Sequence, residues 1–148
     1  MDQRLEISSS RILRYLSRLK GMHRGKEASG IRREVQAITS QCASVVRTEE
    51  GLKKGIRALE ELEKEEIAFD DKGIVFALET ENLVQVAQMI LRACLRRKES
   101  RGPHLFFSGV DDPEPLPSKD PGWRRYIVIQ NQKGKMVLRK KTPMKLRG

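Results

Sequence analysis

The chain has 148 residues, 34% of them charged, a formal net charge of +10 and only 5% aromatic residues. That length suits one compact domain, and the ordered apolar pattern excludes a disordered chain. Two cysteines and two histidines are too few for a metal-ligand cluster at the usual spacings.

The opening MDQRLEISSS lacks the apolar core of a signal peptide. No apolar run approaches the ~20 residues of a membrane span, so the expected location is cytoplasmic. Cys42 and Cys94 fall on apolar helical faces, as buried reduced thiols do. The positive charge suits nucleic acid, an anionic membrane or an acidic protein surface.

A first helix is expected from Leu5 to Leu19, with Ile12, Leu16 and Leu19 on its stripe. HRGKEASG ends it, and His23 in that linker is expected to be exposed. A second helix runs from Ser29 to Val46, with Ile31, Val35, Ile38, Cys42 and Val45 on one side and Ser29 as N-cap. A third follows almost at once, capped by Thr48, with Glu49 and Glu50 at the positive end of its dipole. Leu52, Ile56, Leu59 and Leu62 form its buried stripe, and Gly51 and Gly55 either let another helix approach or weaken it.

FDDKG breaks the chain. A fourth helix spans Ile74 to Lys98 with two apolar stripes, one of Leu78, Val86, Ile90 and Cys94, the other of Leu83, Val84, Leu91 and Leu95. Apolar residues on more than one side make it the central helix. The polar trio Glu79, Glu81 and Asn82 interrupts it. Asn82 is expected to point inward, and the acids to reach Arg32, Arg33 or Arg47 or face water.

Five of the six prolines lie between Gly102 and Gly122, so that stretch is extended. Tyr126 to Ile129 and Lys135 to Leu138 are β-rich, and NQKG between them makes a hairpin with Gly134 at positive φ. The expected fold is mainly α: a three-helix bundle with an extra N-terminal helix, a proline-containing loop and a C-terminal β-hairpin. Its parts are residues 1–104, 105–122 and 123–148.

Six of the nine residues in RRKESRGPH, 96 to 104, can carry charge or share a proton. A catalytic use makes Glu99 or His104 an acid or base and Arg101 a carboxylate clamp. A structural use pairs Glu99 with Arg101 at a helix end, Gly102 giving the exit and Pro103 stopping the helix. The structural use is preferred, because a helix end with an ordered loop commonly fixes one domain on another.

Taken in order, IRREVQ, VVRTEEGLKKGIRALEEL, ALETENLVQVAQMILRACLRRKESRGPH and a proline-containing tail with Trp123 resemble a known domain. It is the C-terminal helical domain of the flavoprotein subunits of succinate dehydrogenase and fumarate reductase, and of L-aspartate oxidase. The resemblance covers Arg11 to Trp123. Its most specific pieces are RKESRGPH and VVRTEEGL, with ETENL between them.

The resemblance implies an FAD-dependent dicarboxylate oxidoreductase as parent, with FAD in a large N-terminal domain outside this chain. No G-x-G-x-x-G follows a strand here. The chain is then a non-catalytic accessory domain that packs on a flavin-binding domain or subunit and contacts an iron–sulfur subunit. The parent can lie at the cytoplasmic face of a membrane through such partners, and self-association can cover an exposed apolar patch. In this reading Glu99, Ser100, Arg101, Gly102 and His104 mark the docking face. Phe106 departs from the family, where arginine often stands, so an ion pair made there is absent.

A different function, placed behind this one, is a small basic nucleic-acid-binding protein. Its candidates are the cations of RRYIVIQNQKGKMVLRKKTPMKLRG for phosphates and Trp123 and Tyr126 for stacking on bases.

Overall fold

The computed structural model describes residues 13, 16, 17, 19–22 and 24–144. Most of the first expected helix, and His23, lie outside the described residues; residues 13, 16, 17 and 19–21 are helical. Strand β1 (Lys26–Glu27) leads directly into helix α1 (Ala28–Cys42), β2 (Arg47–Thr48) into α2 (Glu49–Leu62), and β3 (Ile67–Ala68) precedes α3 (Gly73–Arg96). β4 (Phe106–Phe107) and the hairpin of β5 (Tyr126–Gln132) and β6 (Lys135–Lys141) complete the order.

The three helices pack on one another in every pairwise combination. Ser29 at the start of α1 lies beside Asp70, just ahead of α3, while Glu63 at the end of α2 meets Gln88 on α3. α2 therefore runs antiparallel to both of its neighbours. The core is Ile31 and Val35 of α1, Leu52, Ile56, Leu59 and Leu62 of α2, and Ala77, Val84, Ala87 and Leu91 of α3. Four of the five apolar positions expected to line α1 face inward, fully or in part, and all four on α2 are buried.

Two short parallel pairs clip the ends of the bundle, β1 to β3 and β2 to β4. Each sits where a helix begins, so the clip fixes the direction in which that helix leaves.

Capping follows the sequence at one helix and departs from it at another. Thr48 caps α2, its Oγ1 accepting from the Gly51 N–H at 3.1 Å. Ser29 does not cap α1. The helix begins at Ala28, and the Ser29 N–H and hydroxyl both donate to the Asp70 carboxylate, at 2.9 and 2.5 Å. A carboxylate 41 residues away thus satisfies an orphan donor at the positive end of α1. The bonds from Ser29 hold the Asp70 carboxyl below its usual range.

α3 differs from expectation in three ways. It stops at Arg96, and Asn82 faces solvent. Its buried polar residues are Thr80 and Gln88 instead. The Thr80 hydroxyl donates to the Phe76 carbonyl at 2.7 Å, and Gln88 donates to Glu63 at 2.8 Å, so both are satisfied. Glu79 does meet Arg32, at 3.4 Å between an exposed and a half-buried side chain. The third difference is that Val86 and Ile90 are 43% and 49% exposed. By length and composition the 24-residue α3 could cross a membrane, contrary to the expectation above; a helix at the centre of a bundle passes the same test. α1 also ends before Val45, which leaves Val45 and Val46 exposed.

The hairpin turns through Lys133 and Gly134, at φ 52° and 82°, with Gln132 opposite Lys135. Two positive-φ residues in succession are the type I′ geometry that matches strand twist. Asn131 Oδ1 accepts from the Gly134 N–H at 2.9 Å. The strands run to Gln132 and Lys141, three residues beyond each expected end, and both rest on α3.

Gly55 of α2 faces both other helices. A Cβ there would stand 2.6 Å from Leu91 Cδ2 and 2.8 Å from Cys42 Cβ. Cys42 Cβ is fixed to its backbone, so α1 has to shift. Gly55→Ala is therefore expected to lose about 1 kcal/mol net, an overpacking cost of ~1–3 kcal/mol outweighing a helix-propensity gain of about 1. Gly30, with nothing within 4 Å of its added Cβ, is expected to stabilise by roughly 0.4–1 kcal/mol as alanine. Urea unfolding of the two variants checks both signs; a more stable Gly55→Ala chain means the helices do not meet there.

The loop after α3, a candidate docking site

α3 ends at Arg96, and the chain turns back on itself within ten residues, so that Phe106 and Phe107 pair with Arg47 and Thr48. The reversal is a tight turn. The Arg101 N–H donates to the His104 carbonyl at 2.8 Å, and the His104 N–H to the Arg101 carbonyl at 3.1 Å. Gly102 takes φ +56° at its first corner, and Pro103 supplies a fixed negative φ at the second. Glycine and proline here do what the sequence suggested: one makes the exit, the other prevents another helical turn.

Glu99 sits under this turn with no exposed surface. It accepts from Arg97 Nη1 at 2.8 Å, from Arg101 Nε at 2.9 Å and Nη2 at 3.3 Å, and from the Lys119 backbone N–H. Arg101 also reaches Asp120 at 2.5 Å, and Arg97 reaches the Arg125 carbonyl at 2.6 Å. One buried carboxylate thus ties the end of α3, the turn, the proline-containing segment and the approach to the hairpin. Burial alone pushes the Glu99 carboxyl up. The bonds from Arg101, the Lys119 N–H and Arg97 outweigh it, and the net position is below the ordinary value. Glu99 first, and then Asp120, push the Arg101 guanidinium further up, so it stays a cation.

The remaining residues of the motif are also turned to internal use. Ser100 Oγ accepts from the Phe106 N–H at 2.9 Å, and the Ser100 N–H donates to the Leu116 carbonyl at 3.2 Å. Arg47 Nη1 donates to the Pro103 carbonyl at 3.1 Å. His104 Nε2 lies 3.1 Å from the Arg97 carbonyl. Phe106, in the position where a family arginine was noted, is buried in the core and lies 6.0 Å from the His104 ring.

Of the five residues expected to dock, Glu99 is buried, Ser100, Arg101 and His104 are half-buried, and Gly102 is exposed. The turn brings all five together. Sequence reasoning missed Arg97 and Asp120, which complete the network. No spacing rule links Arg101 to a partner 19 residues away.

Chemically, Glu99 is saturated with donors and held ionised, so it can position a loop and has no proton to give. His104 has its pKa lowered, chiefly by burial. The unfolded chain therefore takes up a proton first as pH falls. Stability is expected to decline as pH drops below about 6.5 and to level off once the folded ring titrates. Urea midpoints at pH 7.5 and 5.5 test this, since His104→Asn should flatten that interval. An equal decline in both chains removes the histidine as its source.

Four apolar side chains on α3 and just before β2 are exposed. Val86 and Ile90 stand one helical turn apart on α3, and Val45 and Val46 precede Arg47, whose charge acts on Cys94 one turn beyond Ile90. Cys42 and Cys94 are both free thiols, the first buried and the second half-buried, and burial pushes the Cys94 thiol up.

Residues 32–145 match the family model described as the fumarate reductase flavoprotein C-terminus. The chain is 28% identical over 127 residues to an uncharacterized FAD-dependent oxidoreductase of Methanocaldococcus jannaschii, covering 84% of this chain and 22% of that protein. It is 26% identical over 143 residues to the succinate dehydrogenase flavoprotein subunit of Rickettsia felis, covering 90% of this chain and 23% of that one. A single-substitution variant of the E. coli quinol fumarate reductase subunit FrdA shares the fold, with a TM-score of 0.73 at 20% identity over 96% of this chain and 25% of that chain. The chain thus spans about a quarter of the length of the proteins it matches. With more than half of its residues inside the family model and the helix–turn–hairpin order in place, the chain belongs to the fumarate reductase flavoprotein C-terminal family.

Proposed function

We propose that this chain is the accessory C-terminal domain of an FAD-dependent dicarboxylate oxidoreductase of the succinate dehydrogenase, fumarate reductase or L-aspartate oxidase type. It braces the flavin-binding domain or subunit and carries no catalytic group itself. FAD does not fit these residues. Among the described residues both parallel strand pairs are two residues long, and no glycine-rich turn joins a strand to a helix to cradle a pyrophosphate. The cofactor belongs to the remaining three quarters of such a parent.

The observation that carries this reading is the exposure of four apolar side chains, Val45, Val46, Val86 and Ile90, the first two just ahead of Arg47, which holds the turn at 101–104 through the Pro103 carbonyl. A solitary domain has little reason to leave such residues uncovered on a core helix. Glu99, Ser100, Arg101, Gly102 and His104 form the rigid edge of that docking face: Glu99 sets the turn, and the turn presents Arg101, Gly102 and His104. The division into a bundle, a proline-containing segment and a hairpin then places the bracing surface on the bundle. An iron–sulfur subunit is a further partner of the assembled parent.

The test is calorimetric titration of this chain into the flavin-binding portion encoded by the same organism, with flavin absorbance followed in parallel. Association is expected, weakened at least tenfold by Ile90→Asp, which alters an exposed position. Binding that Ile90→Asp leaves untouched, or no binding at all to a flavin-binding portion that is already complete and active, sinks the bracing reading.

A further inference from the structure

α2, the end of α3 and the hairpin enclose an open groove of about 860 Å3, lined by none of the five residues of the docking edge. Its wall is strongly basic. Glu49 is a carboxylate of that wall, and Lys53 and Lys98 both hold it at 2.7 Å. Those two lysines, Lys53 first, bring its pKa down to about 2, so it stays charged and occupied. Arg92 is spent on Glu60 at 2.5 Å. Arg57, Arg96, Lys119 and Lys140 also line the groove, and among the described residues the side chains of these four form no ion pair. Ile56, Leu95 and Leu138 supply apolar patches between the charges.

Unpaired cations around a partly apolar floor suit a ligand that alternates carboxylates with apolar side chains. The same groove suits nucleic acid poorly. Trp123 is its aromatic residue, but Lys140 Nζ lies 4.0 Å and the Arg97 guanidinium 5.3 Å from the ring centroid. Bases need an open aromatic face, and here two cations hold the ring.

We propose that this groove binds an extended acidic segment of a partner polypeptide, with Arg57, Arg96, Lys119 and Lys140 taking its carboxylates and Ile56, Leu95 and Leu138 its apolar side chains. The groove adjoins the Glu99 network through Lys119 and Trp123, but none of residues 101–104 and none of the exposed valines lines it, and the proposal does not depend on which substrate the parent uses.

The test is fluorescence anisotropy of a labelled decapeptide alternating glutamate with leucine and alanine, against the 148-residue chain at low ionic strength. Binding is expected, with the affinity reduced about tenfold or more by Arg96→Glu with Lys140→Glu. Lys54→Glu with Lys135→Glu makes the same change in net charge outside the groove and is expected to cost less than twofold. Circular dichroism checks the fold of each variant, and Arg57→Gln with Lys119→Gln serves if the first pair does not fold. An oligothymidylate of equal charge should bind more weakly. Equal losses in the two charge-reversed pairs reduce the effect to net charge and overturn the proposal, as does an oligothymidylate that binds as tightly or a peptide that does not bind. Self-association of the chain that the peptide displaces, and that Arg96→Glu with Lys140→Glu abolishes, makes the occupant a second copy and overturns it too.

Discussion

Glu99→Ala is expected to destabilise the chain by about 3–5 kcal/mol, the scale for removing one partner of a buried ion pair. The physical cause is what stays behind. Arg97, its side chain only 15% exposed, loses an acceptor, and the Lys119 N–H is left facing a cavity. Arg101 keeps Asp120 and can turn outward, so the reverse truncation is milder: Arg101→Ala leaves Glu99 bound to Arg97 and Lys119. Glu99→Gln keeps the shape and one acceptor oxygen, and should fall between the two. The pH dependence has a definite sign. The folded carboxyl titrates below its unfolded value, so its contribution is complete above about pH 4.3. It is lost as pH falls through the lower folded value, and Glu99→Gln should remove that acid decline. Urea unfolding at pH 7 and pH 3.5 measures both. If Glu99→Ala costs under 1 kcal/mol at pH 7, the buried network is not what holds the turn.

This prediction bears on the docking reading as well. Weaker association of Arg101→Ala with a flavin-binding portion can come from lost contact or from a displaced turn. Measuring stability alongside affinity separates them, because a surface contact changes affinity without moving the urea midpoint.

Much of this was legible in the sequence wherever the relevant interaction is local. The stripe Leu52, Ile56, Leu59 and Leu62 is all buried, since helical period alone decides which side faces in. Thr48 caps α2 because an extended threonine reaches the third amide after it. Gly102 with Pro103, and Gly134, are set by backbone conformation, which residue type reports directly. What failed depended on partners distant in the chain. Ser29 has the right composition for an N-cap, but Asp70 takes its hydrogen bonds and the helix starts one residue earlier. The pattern points Asn82 inward and puts Val86 and Ile90 on core stripes, because a helix with apolar residues on several sides shows no unique inner face. Tertiary packing chose the face with Ala77, Val84 and Ala87, where small residues let three helices close. The valine and isoleucine left outside are the same residues that make the docking reading attractive. Glu99 reads as a pairing residue, yet the Lys119 amide that it accepts from, and the Asp120 that shares its Arg101, lie across a segment without periodicity.

Gly25→Ala is expected to be the most damaging glycine substitution, costing roughly 3–5 kcal/mol. Gly25 has φ +122°, and a Cβ built there falls 2.0 Å from the Glu66 carbonyl oxygen and 2.6 Å from its carbon. Both are backbone atoms, so no rotamer relieves the clash. That oxygen also accepts the Lys26 N–H at 2.8 Å, the first bond of the β1–β3 clip. Positive-φ strain of ~1–2 kcal/mol and an overpacking cost near the top of the ~1–3 kcal/mol range therefore act together, and the nearest way out is to break the clip. Gly102→Ala supplies the comparison: φ is +56°, and nothing lies within 4 Å of the added Cβ, so strain acts alone and about 1–2 kcal/mol is expected. The two variants, unfolded side by side in urea, separate conformational strain from close approach. Equal losses mean that the chain at Gly25 does not press against Glu66. A larger loss at Gly25 fixes β1 against β3, and with it the direction in which α1 leaves to meet α2 and α3.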